Sequence, residues 1–232
     1  MLSSTTLRRG IIGTIALSVM MTTFIQATPA QAFSGGSFLV ICDFVKFQRI
    51  DPIMDPGVAP TEHLHQFFGN KGISKSSTYT SLVRGTTTCS TSSDRSAYWA
   101  PVVYKNGHRL RPYQVSVYYV AAGRDRRPFP QGFMERTMDA RFSCGGNTSD
   151  MPRDCGGGKA QINVRFFHRK YPDVHVHYKY NVHSLVGARL SSGRIQGAHG
   201  DFFPAWANGK LGDLIRTCLN QGRTCGKIGR RT

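Results

Sequence analysis

Acidic residues are scarce in this sequence. Its 232 residues carry 13 Asp and Glu against 30 Lys and Arg, and the only glutamates are Glu62 and Glu135. A two-carboxylate glycosidase needs a pair of acids about 5–10 Å apart. Here that pair would have to come from Asp51, Asp94, Asp201 or Glu62. No C-x-x-C pair occurs, which argues against a zinc-thiolate module. Neither a recognition helix nor a stacked-aromatic RNA motif accompanies the basic residues, so nucleic acid is a poor fit as partner. Beyond residue 32 no run is long and apolar enough to span a bilayer, which needs about 20 residues. No internal repeat or long low-complexity linker divides the chain, so one domain is expected.

What the sequence does have begins with a leader. Arg8 and Arg9 precede an apolar run over residues 11–24, followed by Ala30-Gln31-Ala32. A basic end, an apolar centre and small residues at an A-x-A site are what the translocator and signal peptidase require. Residues 1–32 therefore read as a signal peptide, and residues 33–232 as a single secreted β-rich domain, extracellular or periplasmic. The paired arginines permit twin-arginine export as well as the general route.

All six cysteines follow the cut: Cys42, Cys89, Cys144, Cys155, Cys218 and Cys225. An even number in an oxidising compartment implies disulfides. Spacing favours closing Cys144 with Cys155 and Cys218 with Cys225, which leaves Cys42 with Cys89. Cleavage removes two arginines and no acid, so the formal charge falls from +17 to +15. Such a surface favours acidic polymers or anionic head groups.

Runs rich in β-branched and aromatic residues, several with period two, cover 37–47, 98–104, 114–120, 160–167 and 173–182. Turn pairs such as Asn106-Gly107 and Ser192-Gly193 separate them. Only 211–219 has helical spacing, with Leu211, Leu214, Ile215 and Cys218 on one face. The expected fold is mainly β, a single-domain β-sandwich-like fold with long loops and a short C-terminal helix.

Three segments carry chemistry. The first runs from Arg49-Ile50-Asp51 to Glu62-His63-Leu64-His65, where an extended backbone points His63 and His65 to one face. Such a pair ligates a metal, orients a substrate, passes a proton or simply ties down a loop. The second is Asp94-Arg95-Ser96-Ala97-Tyr98-Trp99-Ala100-Pro101 with Tyr104. Its aromatic rings suit either stacking on sugars or core packing. The third is His199-Gly200-Asp201-Phe202, with Trp206 beyond. His199 and Asp201 share a face there, an arrangement suited to acid–base work, metal binding or a turn cap.

These segments, in this order and spacing, resemble a secreted family of unknown function found in fungi and bacteria. Its fungal members often sit beside WSC-type carbohydrate-binding domains. The likeness runs from about residue 43 to 218 and rests on the H-x-H, D-x-S-x-Y-W-x-P and H-x-D-F patterns. A Cys-Trp-Asp-Gly stretch usual in the family is absent, and residues 166–178 (FFHRKYPDVHVHY) stand in its place, so the chain resembles a shortened member. The resemblance implies extracellular placement and a glycan context rather than a reaction.

Two function classes follow. In the first, His63, His65, His199, Asp201, Asp51 and Asp94 are catalytic on extracellular or cell-wall polysaccharide in a cleft lined by Tyr98, Trp99, Tyr104 and Trp206. Its metal version makes His63, His65 and His199 ligands of a divalent ion, zinc by default and copper as the alternative. A copper site built on an N-terminal histidine is disfavoured, because the mature chain would begin at Phe33. In the second class the same cleft only binds a wall glycan, with the basic surface adding affinity for acidic polymer.

Overall fold

A computed structural model describes residues 35–229 of the chain. The leader assigned to residues 1–32 lies outside the described residues. Alternation of buried and open positions along the strands accounts for the layering. One antiparallel-dominated sheet has the order Thr148–Ser149, Ala140–Ser143, Gln161–Phe166, Asp173–Lys179, Gln114–Val120, Ser37–Cys42 and Thr224–Lys227. Its inner face presents Phe38, Val40, Val115, Val117, Tyr119, Ile162, Val164, Phe166, Val174, Val176 and Tyr178. The facing sheet has the order Phe44–Gln48, His65–Gly69, Ala97–Pro101, Gly200–Phe203 and Glu135–Thr137. Phe68, Tyr98, Ala100 and Phe202 from that sheet complete the same core. The result is a β-sandwich-like fold, as expected. A small four-stranded sheet, in which Val103–Lys105 pairs with Arg189–Leu190 and His108–Leu110, stands beside it.

The five-stranded sheet is apolar on its other face too. Phe67, Trp99 and Phe203 pack there against Ile50, Ile73, Leu82 and Ala205, which lie outside the sheet's strands. Leu82 belongs to a short helix, Tyr79–Arg84, that the helical spacing of the sequence does not announce. Its six residues bury only Leu82, and a reciprocal cap between Thr78 and Ser81 starts it. The expected C-terminal helix is present as Lys210–Leu214 continuing into a wider turn at Ile215–Leu219. Two expected strands are each broken in two. Asp43 separates Ser37–Cys42 from Phe44–Gln48, and Val102 separates Ala97–Pro101 from Val103–Lys105, so the chain passes from one sheet to the next at both points.

The cysteines pair as Cys42–Cys89, Cys144–Cys155 and Cys218–Cys225, and none of the described ones is free. Gly69 ends the strand that His65 begins, at φ +83°, and a Cβ there would stand 2.4 Å from the Ser96 carbonyl oxygen. Only glycine tolerates both conditions. Gly69→Ala is expected to lower stability by about 1–3 kcal/mol in urea denaturation. An unchanged midpoint would refute the close approach.

Candidate metal centre

The outer face of the five-stranded sheet carries the site. Cross-strand register aligns Phe67 with Trp99, Trp99 with Asp201 and Asp201 with Arg136. Period two puts His65 on the same face as Phe67, and Asp201 of that row lies two residues beyond His199. The loop that delivers His63 is held by Arg49, whose Nε donates to the Thr61 carbonyl at 2.8 Å and whose Nη2 donates to the Glu62 carbonyl. Leu64, between the two histidines, is fixed through its backbone. Its carbonyl accepts from the Val102 N–H at 3.1 Å and from the Ser191 hydroxyl at 2.5 Å.

Three histidines thereby converge from two distant stretches of chain. Ring centroids lie 4.3 Å apart for His63 and His65, 5.5 Å for His63 and His199, and 6.1 Å for His65 and His199. Burial holds the rings neutral: His65 is pushed down to about 3 by desolvation and then by its neighbour His63, and His199 to about 4 by desolvation and then by Arg136. His63 is lowered in the same way. The backbone sets the tautomers. His65 Nδ1 lies 2.9 Å from the Ile50 carbonyl, and His199 Nδ1 lies 3.2 Å from that of Gly197. A carbonyl only accepts, so each Nδ1 carries the proton and each Nε2 offers a lone pair.

Acids and one arginine complete the cluster. Asp51 is oriented through Oδ1, which accepts from the Ile53 and Met54 N–H groups at 3.1 and 3.2 Å. Its Oδ2 receives Arg136 Nη2 at 2.6 Å and stands 3.8 Å from His65 Nε2. Arg136 Nε donates to Asp201 Oδ1 at 2.8 Å, and Nη2 also reaches His199 Nε2 at 3.2 Å. Asp201 is raised to about 7 by desolvation, against the opposing pull of Arg136.

Three buried atoms of this cluster have no hydrogen-bond partner among the described residues: His63 Nε2, His65 Nε2 and Asp201 Oδ2, the last 4.0 Å from His199 Nε2. Buried polar atoms are nearly always satisfied, so three orphans in one cluster call for a missing ligand. The Nδ1-protonated tautomer makes His65 Nε2 an electron-pair donor, and Asp201 Oδ2 is a carboxyl oxygen, which fits a cation. Charge agrees. With the imidazoles neutral, Arg136 is balanced by the carboxylate of Asp51, and Asp201, whose carboxyl burial raises, is free to ionise against a bound cation.

His63, His65 and His199 each offer an atom within 4.8 Å of the others, and so do Asp51, His65 and Asp201. Two nitrogens on one zinc ion at about 2.1 Å lie no more than about 4.2 Å apart. His63, the half-buried member of the three, is the ring with most room to adjust. Engaging His199 Nε2 requires Arg136 to release it while keeping its two carboxylates. The residues therefore fit a divalent ion, with Nε2 of His65 best prepared.

Residues 51–140 match the family model described as Domain of unknown function (DUF1996). The match begins at Asp51 and takes in both the H-x-H and the Asp94–Pro101 segments as well as Arg136, whereas His199 and Asp201 fall outside it. No curated protein and no solved structure matches the chain.

The other expected site residues stand elsewhere. Asp94 is fully buried in a polar chain through the core, in which Oδ1 accepts from the Ser96 N–H at 3.0 Å and Oδ2 from the Tyr98 hydroxyl at 2.9 Å. Tyr98 meets the Tyr119 hydroxyl at 2.8 Å, and the Trp206 indole donates to Tyr119 at 3.0 Å. Asp94 is thus a structural acid rather than a member of the cluster. Tyr98 and Trp99 are both completely buried and offer no face to a sugar. Trp99 instead floors the site's sheet face, stacked on Phe67 at 5.7 Å. Trp206 shows only an edge, in an apolar cavity of about 220 Å³ shared with Phe129 and Leu211. Tyr104 lies in the small sheet beneath the Arg189 guanidinium. Arg136 is the site residue that sequence reasoning misses, since nothing in Met134-Glu135-Arg136-Thr137 distinguishes it from the other arginines.

Proposed function

We propose that this chain is an exported, metal-dependent hydrolase acting on extracellular or cell-wall polysaccharide. The observation that carries the reading is the convergence of His63, His65 and His199 in one cluster, with His63 Nε2, His65 Nε2 and Asp201 Oδ2 all lacking a hydrogen-bond partner among the described residues. His63, His65 and His199 hold the ion. A divalent ion supplies Lewis acidity and makes a bound water acidic near neutral pH. Asp201 accepts a proton through its unpartnered oxygen, and Arg136 keeps both carboxylates in place. Export is supported by the leader-like start, by three disulfides, and by the lack among the described residues of any helix long and apolar enough to cross a membrane. The glycan context is supported by the resemblance to the family with WSC neighbours, and the surplus of basic over acidic residues favours acidic polymers.

The test is zinc titration of the metal-stripped protein by calorimetry and thermal melting. One equivalent is expected to bind. At about 100 times the dissociation constant, stability should rise by about 2.7 kcal/mol. Absence of saturable binding would refute the metal centre and leave the second class, a glycan binder without catalysis.

A further inference from the structure

We propose that the centre removes acyl groups from the glycan, as esters or amides, rather than cutting the glycan backbone. This rests on the metal-dependent reading above and narrows its substrate class. The first ground is the disposition of the acids. Backbone hydrolysis needs one carboxylic acid to protonate the departing oxygen and a second carboxylate across the bond, about 5–10 Å away. Here Asp51 and Asp201 are drawn together by one arginine: both bind the single guanidinium of Arg136, at 2.6 and 2.8 Å, and they offer oxygens within 4.8 Å of each other. Glu135, the nearest glutamate in sequence, is turned away and paired with His168 at 2.6 Å, and Asp94 is locked in the core. Glu62, the chain neighbour of His63, is solvent-exposed and not buried with the pair.

The second ground is what three imidazoles do well. A Lewis acid activates a carbonyl oxygen directly, and an acyl ester or amide has one where a glycosidic acetal has none. The arrangement of several histidines, one carboxylate with a free oxygen and one cation beside it suits a reacting carbonyl.

The third ground is the apolar character of the neighbouring chain. Met134 and Met138 bracket Arg136 by two residues on either side and are 40% and 61% exposed. Met54, whose N–H binds Asp51, is 56% exposed. Flexible thioethers suit a small apolar substituent better than a bare sugar hydroxyl.

The reaction balances without a further reagent. A water oxygen bonds to the acyl carbon, and its proton passes to Asp201 Oδ2. The bond from the acyl carbon to the sugar oxygen or nitrogen breaks, and the proton returns to that leaving atom. The products are a carboxylic acid, which gives up its remaining proton to solvent or to the released amine, and a free hydroxyl or amine.

The experiment uses the zinc-loaded mature protein with acetylated xylan and with N-acetylated chitin oligomers, each beside its deacetylated counterpart. Acetate release by NMR and new reducing ends are read in parallel, with His63→Ala as control. Acetate at a rate at least 100-fold above the control, without new reducing ends, is expected from one acetylated polymer. Which polymer responds tells ester from amide. New reducing ends without acetate would overturn the inference, as would equimolar zinc binding with neither product. In that last case the metal centre itself stands. A protein that binds no zinc overturns the centre and this inference together.

Discussion

His65→Ala is expected to weaken zinc binding by at least about 100-fold, beyond the upper end of what loss of a supporting residue costs a metal site. Its ring is fully buried, its Nδ1 proton is committed to the Ile50 carbonyl, and its Nε2 has no hydrogen-bond partner among the described residues. No other described group uses that lone pair, and 3.8 Å to Asp51 is too long for a hydrogen bond. A buried histidine is also a packing element, so the variant could lose binding by loosening the loop. His63→Ala separates the two effects. His63 is half-buried, its loop is held by Arg49 rather than by its own ring, and its removal should cost little stability while still weakening zinc by 10-fold or more. Calorimetry on both variants, with urea denaturation of the metal-free forms, decides. If both bind zinc as the parent does, the histidines are structural.

Much of this centre was legible because its spacing is a backbone property. Residues two apart on extended chain share a face, so His63 with His65 and His199 with Asp201 were pairs before any tertiary structure was known. Their convergence depends on strand order, in which the strand of Trp99 separates the strand of His65 from that of Asp201. Local pattern does not encode that order. Arg136 escaped notice for the same reason: its role comes from pairing beside Asp201 on an edge strand. The aromatic segment failed differently. Tyr98 and Trp99 point to opposite faces, as alternation requires, but both faces of this sheet are covered, one by the facing sheet and the other by the Ile50 and Leu82 segments. A sequence signals which residues share a face and says little about whether that face is covered.

Asp94→Ala is expected to destabilise the fold by about 2–5 kcal/mol while leaving zinc affinity unchanged. Truncation strands the Ser96 N–H and the Tyr98 hydroxyl, both fully buried, and interrupts a polar chain that runs from the Trp206 indole through Tyr119 and Tyr98 between the two sheets. Each stranded buried group costs about 1–3 kcal/mol. The same acid makes a pH signature. Desolvation raises it to about 6 in the folded chain, above the 3.8 of an exposed aspartate, so the native state binds the extra proton between those values. Its contribution to stability is therefore full below pH 3.8 and is lost as pH rises through 6, by about 3 kcal/mol in all. Asp94→Asn cannot titrate. The stability difference between parent and Asn variant should accordingly shrink from pH 4 to pH 8, with its midpoint between 3.8 and 6. Denaturant midpoints at several pH values measure it. A difference that stays flat, or grows with pH, would mean that the core network holds Asp94 ionised throughout.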